Sequence, residues 1–368
     1  MKKKILHVSQ SLGGVETYIR GVVENIDRNR FELIIVCPYS DSFNKFCLEK
    51  NIDFKNITRG RESSLWDDFK TIFLLIKIIK QNNPDIVHLH SAKAGFLGRI
   101  ACRYTNKKSI FMPHGLSYLS FTGFKRIFYL LLEVICKRFT DIIIAVANSE
   151  KNKLIFELGF DPNKIEVISN SIVISDDSNV NQSPLKSNKQ IKIGTISRLT
   201  YQKNPLLFVE IANNIIKQYK NAEFYILGAG LEDHLKDKTV ELIEFYGIDN
   251  NFKILNWASK KESELFLESL DIFLLTSIFE GLPLSLLEAM DLSKPCVTSK
   301  CDGCIDVIQN NVNGYACITA NEFTSAIISL IENESDFKRI SMNAKVYVKE
   351  NHNLKNSINL LQKIYERN

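Results

Sequence analysis

Short apolar runs alternate with longer stretches of helical period along nearly the whole chain. In the first half the apolar runs fall at residues 5–8, 33–37, 86–89, 109–112 and 142–147, with helical periodicity between them at 15–26, 66–81 and 124–139. The pattern restarts at 191–196 and continues with runs at 223–227, 253–255, 272–276 and 296–299, separated by helical stretches at 205–218, 232–246, 261–270 and 284–292. Runs that stay apolar, instead of alternating with polar residues, belong to strands covered on both faces. Helical crossovers between such strands predict doubly wound parallel sheets of the α/β class. Between the two series lies Ser-Asp-Asp-Ser-Asn-Val-Asn-Gln-Ser-Pro, a polar tract rich in turn formers. It marks 173–190 as a linker between a domain at 1–172 and a domain at 191–351. The tail beyond Asn321 reads as helices only, and its last helix, 352–368, is expected to pack back on the first domain. Two Rossmann-like domains facing each other across a cleft is the simplest architecture.

With 368 residues, 45% of them hydrophobic and 24% charged, the chain has material for two ordinary cores. A formal charge of +5 is too small to argue for a nucleic-acid partner. Met1-Lys2-Lys3-Lys4 resembles the start of a secretory leader, but the apolar run after it stops at His7 and Ser9, as a strand does. No apolar stretch is long enough to cross a membrane. A cytoplasmic protein is expected, with a peripheral place on the inner face of the plasma membrane as an added option. Most of the eight cysteines sit in apolar contexts, as free thiols do in a reducing compartment. Cys301-Asp302-Gly303-Cys304, with Cys296 before and Cys317 after, offers a four-thiolate zinc site as the alternative, but only one close pair is present.

The segment from Ile278 to Met290, Ile-Phe-Glu-Gly-Leu-Pro-Leu-Ser-Leu-Leu-Glu-Ala-Met, carries the most chemistry. It follows an apolar strand and reads as strand, loop and helix. Pro283 suits the first helical turn and Gly281 frees the loop. Glu280 then lies at the carboxyl edge of a parallel sheet, where open sheets bind ligands, and Glu288 lies a turn and a half into the helix. Two carboxylates beside an anion-attracting helix end fit a ligand with both hydroxyls and phosphate. Taken alone, they fit a helix-dipole contact and a surface ion pair equally well.

Other strand ends supply complementary groups. Gly13-Gly14-Val15-Glu16 opens a helix after the first strand. His88, His90 and His114, the last before Gly115, close two further strands. His88 and His90 read as structural histidines, with metal ligation as the lesser alternative. In the second half, Arg198 and Lys203 lie in a loop ahead of a helix, where two cations can clamp a diphosphate. Gly228-Ala229-Gly230 begins like a dinucleotide fingerprint, but Asp233 stands in place of the third glycine, which weakens an NAD reading.

Jointly these residues resemble the family-four retaining glycosyltransferases of GT-B fold, over essentially the full length. The matching pieces are Gly13-Gly14-Val15-Glu16, His114-Gly115, the strand at 141–146, Arg198 with Lys203, Gly228 with Gly230, and Glu280 and Glu288 around Gly281-Leu282-Pro283. The resemblance implies that Arg198 and Lys203 bind the donor diphosphate and Glu288 the ribose hydroxyls. It sets Glu280 and the Gly281 and Leu282 backbone beside the donor sugar, His114 at the sugar and reacting centre, and Gly13 and Gly14 on the phosphate and acceptor side. Asn204, Ser171 and the Cys301–Cys304 segment depart from the family's usual glycines, and Asn256 stands where a glycine is frequent. These departures bear on donor base and sugar, not on activity.

The implied reaction moves a hexose or N-acetylhexosamine from a UDP- or GDP-sugar to an acceptor. The closest likeness is to capsular and O-antigen transferases, whose acceptor is a polyprenyl-diphosphate-linked saccharide. No cofactor is implied. The sequence has no Asp-x-Asp, so Arg198, Lys203 and the helix end are expected in place of a metal ion. The apolar segment 124–139, with Arg99, Arg103, Lys107 and Lys108 nearby in sequence, offers the N-terminal domain an anionic membrane surface. A core helix with charged ends is the competing reading. The rival functions are a nucleotide-sugar epimerase of GT-B fold, a catalytically silent sugar- or lipid-binding partner, and, third, an NAD-dependent oxidoreductase.

Overall fold

The computed structural model describes residues 2–10, 13–57, 65–175, 190–230 and 233–368, so most of the expected linker lies outside the described residues. The chain separates into two compact units, Met1–Asn170 with Leu354–Asn368, and Ser171–Asn353.

In the first unit the described strands are β1 (Lys3–Ser9), β2 (Phe31–Cys37), β3 (Asp53–Asn56), β4 (Ile86–His90), β5 (Lys108–Met112), β6 (Ile142–Ala145) and β7 (Ile165–Val167). They are parallel, in the order β3-β2-β1-β4-β5-β6-β7. Ile5, Leu6, Val36, Val87 and Leu89 are buried, because helices cover both faces of the sheet. β1 pairs with β2 on one side and β4 on the other, so the strand order reverses between β1 and β4. The second unit holds β8 (Ile191–Ile196), β9 (Ala222–Ala229), β10 (Phe252–Asn256), β11 (Ile272–Leu275), β12 (Cys296–Ser299) and β13 (Tyr315–Cys317). Their parallel order is β10-β9-β8-β11-β12-β13, which reverses between β8 and β11. Phe208, Phe224, Leu274, Phe323 and Ile327 form the middle of its core.

The short edge strands β3, β7 and β13 are the elements that the apolar pattern does not show. β3 is polar and partly exposed, and the other two are only three residues long. The helix after β9 begins at Lys236. Pro283 sits just ahead of the helix Leu284–Asp291 in an extended conformation, not within its first turn.

The last helix, Leu354–Arg367, belongs to the first unit. Gln362 Oε1 accepts from the Asp27 amide at 2.9 Å, Lys3 Nζ donates to the Tyr365 carbonyl at 2.8 Å, and the Tyr365 ring is fully buried.

The helix Gly123–Cys136 is apolar on two sides. Its inner side carries Glu133, which accepts from Arg99 Nη2 at 2.7 Å. Arg99 is itself buried, 4.2 Å over the Phe111 ring, so it pins this helix instead of facing a membrane. Lys108 is likewise engaged, donating to the Asn368 carbonyl at 3.2 Å. The outer side exposes Phe124, Ile127, Phe128, Leu131 and Ile135, a stripe at helical spacing, with Phe124 85% accessible. No described helix is long and apolar enough to cross a membrane.

Candidate active site

Ligands of open parallel sheets settle outside the carboxyl ends of the strands where the order reverses. In the second unit those are the ends of β8 and β11. The loop after β8 carries Lys203 and the loop after β11 carries Glu280, and the two meet: Lys203 Nζ lies 2.5 Å from Glu280 Oε1. Glu280 is buried and also accepts from Ser277 Oγ at 2.6 Å and from Gln202 Nε2 at 3.4 Å. Burying a carboxylate without such partners is costly. The two loops are joined through their backbones as well. The Ile278 amide donates to the Gln202 carbonyl at 2.8 Å, and Thr276 Oγ1 donates to the Lys203 carbonyl at 3.0 Å. Asn204 takes φ 49°, a left-handed conformation that asparagine tolerates better than other side-chain-bearing residues.

Glu288 lies in the helix Leu284–Asp291, half-buried between Leu287 and Ala289, and its carboxylate takes no hydrogen bond among the described residues. Burial pushes its carboxyl up to about 7, opposed by the Lys260 charge and reinforced by Glu264.

Arg198 is half-buried in the same loop as Lys203, at the end of β8. Beside it, Gly228 near the end of β9 and Gly230 just after it both take positive φ. A Cβ on Gly228 would stand 2.8 Å from the Ser197 carbonyl oxygen, so glycine here lets the loops of β8 and β9 touch. Asp233 closes this corner, accepting from the Gly230 amide and, at 3.4 Å, from the Leu199 amide. The residue that breaks the dinucleotide fingerprint thus occupies an amide a pyrophosphate would use.

Gly281, Leu282 and Pro283 are buried. Gly281 does not take positive φ; the glycine that must do so is Gly303, at φ 74°. A Cβ on Gly303 would fall 2.2 Å from the Gly281 carbonyl oxygen. The Cys301–Cys304 segment is therefore the wall behind the Glu280 loop. Cys301 hydrogen-bonds Cys304 and, with burial, drives that thiol well up. Among the described residues the four candidate zinc thiols do not gather as a ligand group; three imidazoles do, those of His7, His88 and His90.

In the first unit the order reverses at β1 and β4. Gly13, at φ 88°, caps the helix Gly14–Asn25, and among the described residues nothing stands within 4 Å of a Cβ built on Gly13 or Gly14. Glu16 is engaged within that helix by Arg20 at 2.8 Å. His114 follows β5 at φ 55°. Its turn is held by the buried Glu150, which accepts from the Gly115 amide and from the Val146 amide, each at 2.8 Å. Behind His114, His7, His88 and His90 are fully buried on one face of the sheet, since His7 is in register with His88. Burial lowers His7 and His114 to about 3 and holds His88 and His90 well below their ordinary range.

Sequence reading missed Gln202, Ser277, Glu150, His7 and Tyr365. Ser277, three residues before Glu280, and His7, mid-strand beside the His-x-His pair, had a local signal; Glu150 and Tyr365 had none.

Residues 12–176 match the family described as Glycosyltransferase Family 4, and residues 176–347 the family described as Glycosyl transferases group 1. Over 354 residues the chain is 31% identical to the UDP-Gal:alpha-D-GlcNAc-diphosphoundecaprenol alpha-1,3-galactosyltransferase of Escherichia coli, covering 91% of this chain and 86% of that one. It is 24% identical over 359 residues to the capsular polysaccharide biosynthesis glycosyltransferase CapM of Staphylococcus aureus, covering 93% and 91%. Among solved structures, Anabaena HepE in complex with UDP and glucose matches 100% of both chains with a TM-score of 0.83 at 19% identity. With both family matches spanning its two parallel-sheet Rossmann-like domains, the chain belongs to the GT-B glycosyltransferases of family 4 and group 1.

Proposed function

We propose that this glycosyltransferase moves a sugar, galactose first among the candidates, from a UDP-sugar to a lipid-diphosphate-linked N-acetylglucosamine in bacterial surface-polysaccharide synthesis, retaining the anomeric configuration. The observation that carries the reading is the Lys203–Glu280 pair at the strand-order reversal of the second unit. The E. coli relative named above supports the choice of donor and acceptor.

In this reading Arg198 and Lys203 hold the donor diphosphate, with Gly228 and Gly230 alongside. Glu288 takes the ribose hydroxyls, which suits a half-buried carboxylate without a hydrogen-bond partner among the described residues. Glu280 sets the position of Lys203 and, with Gly281, Leu282 and Pro283, lines the sugar. His114 touches the sugar, and Gly13 and Gly14 leave room on the acceptor side. The acceptor hydroxyl oxygen bonds to the anomeric carbon as the bond from that carbon to the diphosphate oxygen breaks on the same face. The hydroxyl proton passes to the departing diphosphate, whose charge Arg198 and Lys203 stabilise by about 2–4 kcal/mol each. Glu280, accepting from three side chains, is a poor nucleophile, which favours same-face attack over a covalent intermediate.

The acceptor reading also gives a use to the outer stripe of the helix Gly123–Cys136: its apolar side chains enter an anionic bilayer where the lipid-linked acceptor lies, with Lys125 and Arg126 exposed on the same helix. The test of function is incubation with UDP-galactose and a GlcNAc-diphosphate-lipid. An α-linked disaccharide-lipid is expected. GDP-galactose serving better than UDP-galactose would overturn the nucleotide, and UDP-galactose epimerised without acceptor would favour the epimerase.

A further inference from the structure

Behind His114 runs an unbroken line of hydrogen bonds that no step of the proposed transfer uses. His114 Nε2 lies 3.1 Å from His90 Nδ1, and His90 Nε2 lies 2.9 Å from His7 Nδ1. His7 Nε2 lies 3.4 Å from the Tyr365 hydroxyl, which lies 2.6 Å from His88 Nδ1. The line starts at His88 on β4, passes through Tyr365 of the last helix and His7 on β1, returns to β4 at His90, and ends at the turn after β5.

Burial keeps all four imidazoles neutral near pH 7. A neutral imidazole has one donor nitrogen and one acceptor nitrogen. The protons along the line must therefore all point the same way, and fixing one end fixes the other. The fixed end is His88, whose Nε2 is buried with no partner, the only side-chain nitrogen in that state among the described residues. A buried N–H without an acceptor is rarer than an acceptor left empty. His88 Nε2 is then the bare nitrogen and Nδ1 donates to Tyr365. Tyr365 donates to His7, His7 Nδ1 to His90, and His90 Nδ1 to His114 Nε2. The proton of His114 is left on Nδ1.

Resting on the reading that His114 touches the donor sugar, we propose that Tyr365, His7 and His90 are positioning residues that hold His114 as a neutral Nδ1–H hydrogen-bond donor. His114 then serves a sugar oxygen as a donor and does not act as a base. The buried trio of imidazoles is thereby spent on this line and not on a metal ion.

The test is nitrogen NMR of the full-length protein labelled at histidine, with UDP bound. The expected result is His114 protonated at Nδ1 and unchanged from pH 8 to pH 5. A proton on Nε2, titration near the ordinary histidine range, or stoichiometric zinc in the purified protein would overturn the proposal. Tyr365→Phe keeps the ring against Phe31, 5.7 Å away, and removes only the hydroxyl. It is expected to mix the His114 tautomers and lower kcat about tenfold, with KM for UDP-galactose within about twofold. Loss of activity in His114→Ala with none in Tyr365→Phe would sink the line alone. Full activity in His114→Ala would sink the sugar-contact reading instead, while the wild-type spectrum still reports on the line.

Discussion

Lys203 and Glu280, 77 residues apart in sequence, form a 2.5 Å ion pair that ties the loop after β8 to the loop after β11. Both side chains are largely buried, with 15% and 7% of their surfaces exposed. The pair therefore holds the Lys203 ammonium in a fixed place, where on the proposed function it meets the donor diphosphate. Two ligand-facing roles that the sequence suggests separately are one structural unit.

Removing either partner should show this. Lys203→Ala is expected to lower kcat/KM for sugar transfer by about a hundredfold or more. It should also cost about 1–3 kcal/mol of stability, because Glu280 loses its charged partner and keeps only Ser277 and Gln202. In a double-mutant cycle with Glu280→Ala the stability losses should be less than additive. Additive losses, measured by urea denaturation, would deny the coupling. Unchanged biological output in Lys203→Ala would favour the silent-partner reading.

Glu288 gives a pH signature of definite sign. Its carboxyl is raised from 4.5 to about 7, chiefly by burial. Between those values the folded state keeps the proton and the unfolded state loses it. Stability therefore falls as pH rises through that window and levels off above it, by at most about 3 kcal/mol. Glu288→Gln should flatten this slope and melt higher than the wild type at pH 8. If the ionised carboxylate binds the ribose, UDP-galactose affinity should fall as pH drops below about 7, and the Gln variant should show no such fall. Calorimetry at several pH values checks both.

Backbone conformation decides two further positions. Gly303→Ala puts a Cβ against the Gly281 carbonyl, a contact of 2.2 Å that only a backbone shift relieves. It should reduce donor binding at least tenfold and cost on the order of 2 kcal/mol. At Asn204, φ 49° makes glycine neutral or favourable and alanine costly by about 1 kcal/mol. Melting curves of the three variants, with and without UDP, measure the order.

The outer stripe of the helix Gly123–Cys136 predicts membrane binding. Wild-type protein should sediment with phosphatidylglycerol vesicles, and Phe124→Ser with Phe128→Ser should weaken this at least tenfold without changing the melting temperature. Equal sedimentation of both proteins would remove the membrane from the account.

Much of this was legible in the chain. The unbroken apolar runs showed both parallel sheets, because strands covered on two faces need no polar alternation. Strands β3, β7 and β13 were hidden, since a short edge strand needs only backbone partners. Glu280 and Glu288 stood out through their Gly/Pro loop, and Lys203 through its place at a strand end. What local pattern cannot show is partnership across the fold: that Arg99 is spent on Glu133, that Asp233 covers the Gly230 amide, or that Tyr365 reaches His7 and His88. Those contacts depend on the strand order and on the return of the last helix.

The most direct measurement is transfer from UDP-galactose to a GlcNAc-diphosphate-lipid, with the product's anomeric coupling read by NMR in wild-type and Lys203→Ala protein. An α-linked product from the wild type, reduced about a hundredfold or more in the variant, is the result this account predicts. A β-linked product, or wild-type and variant proteins transferring at equal rates, would contradict it.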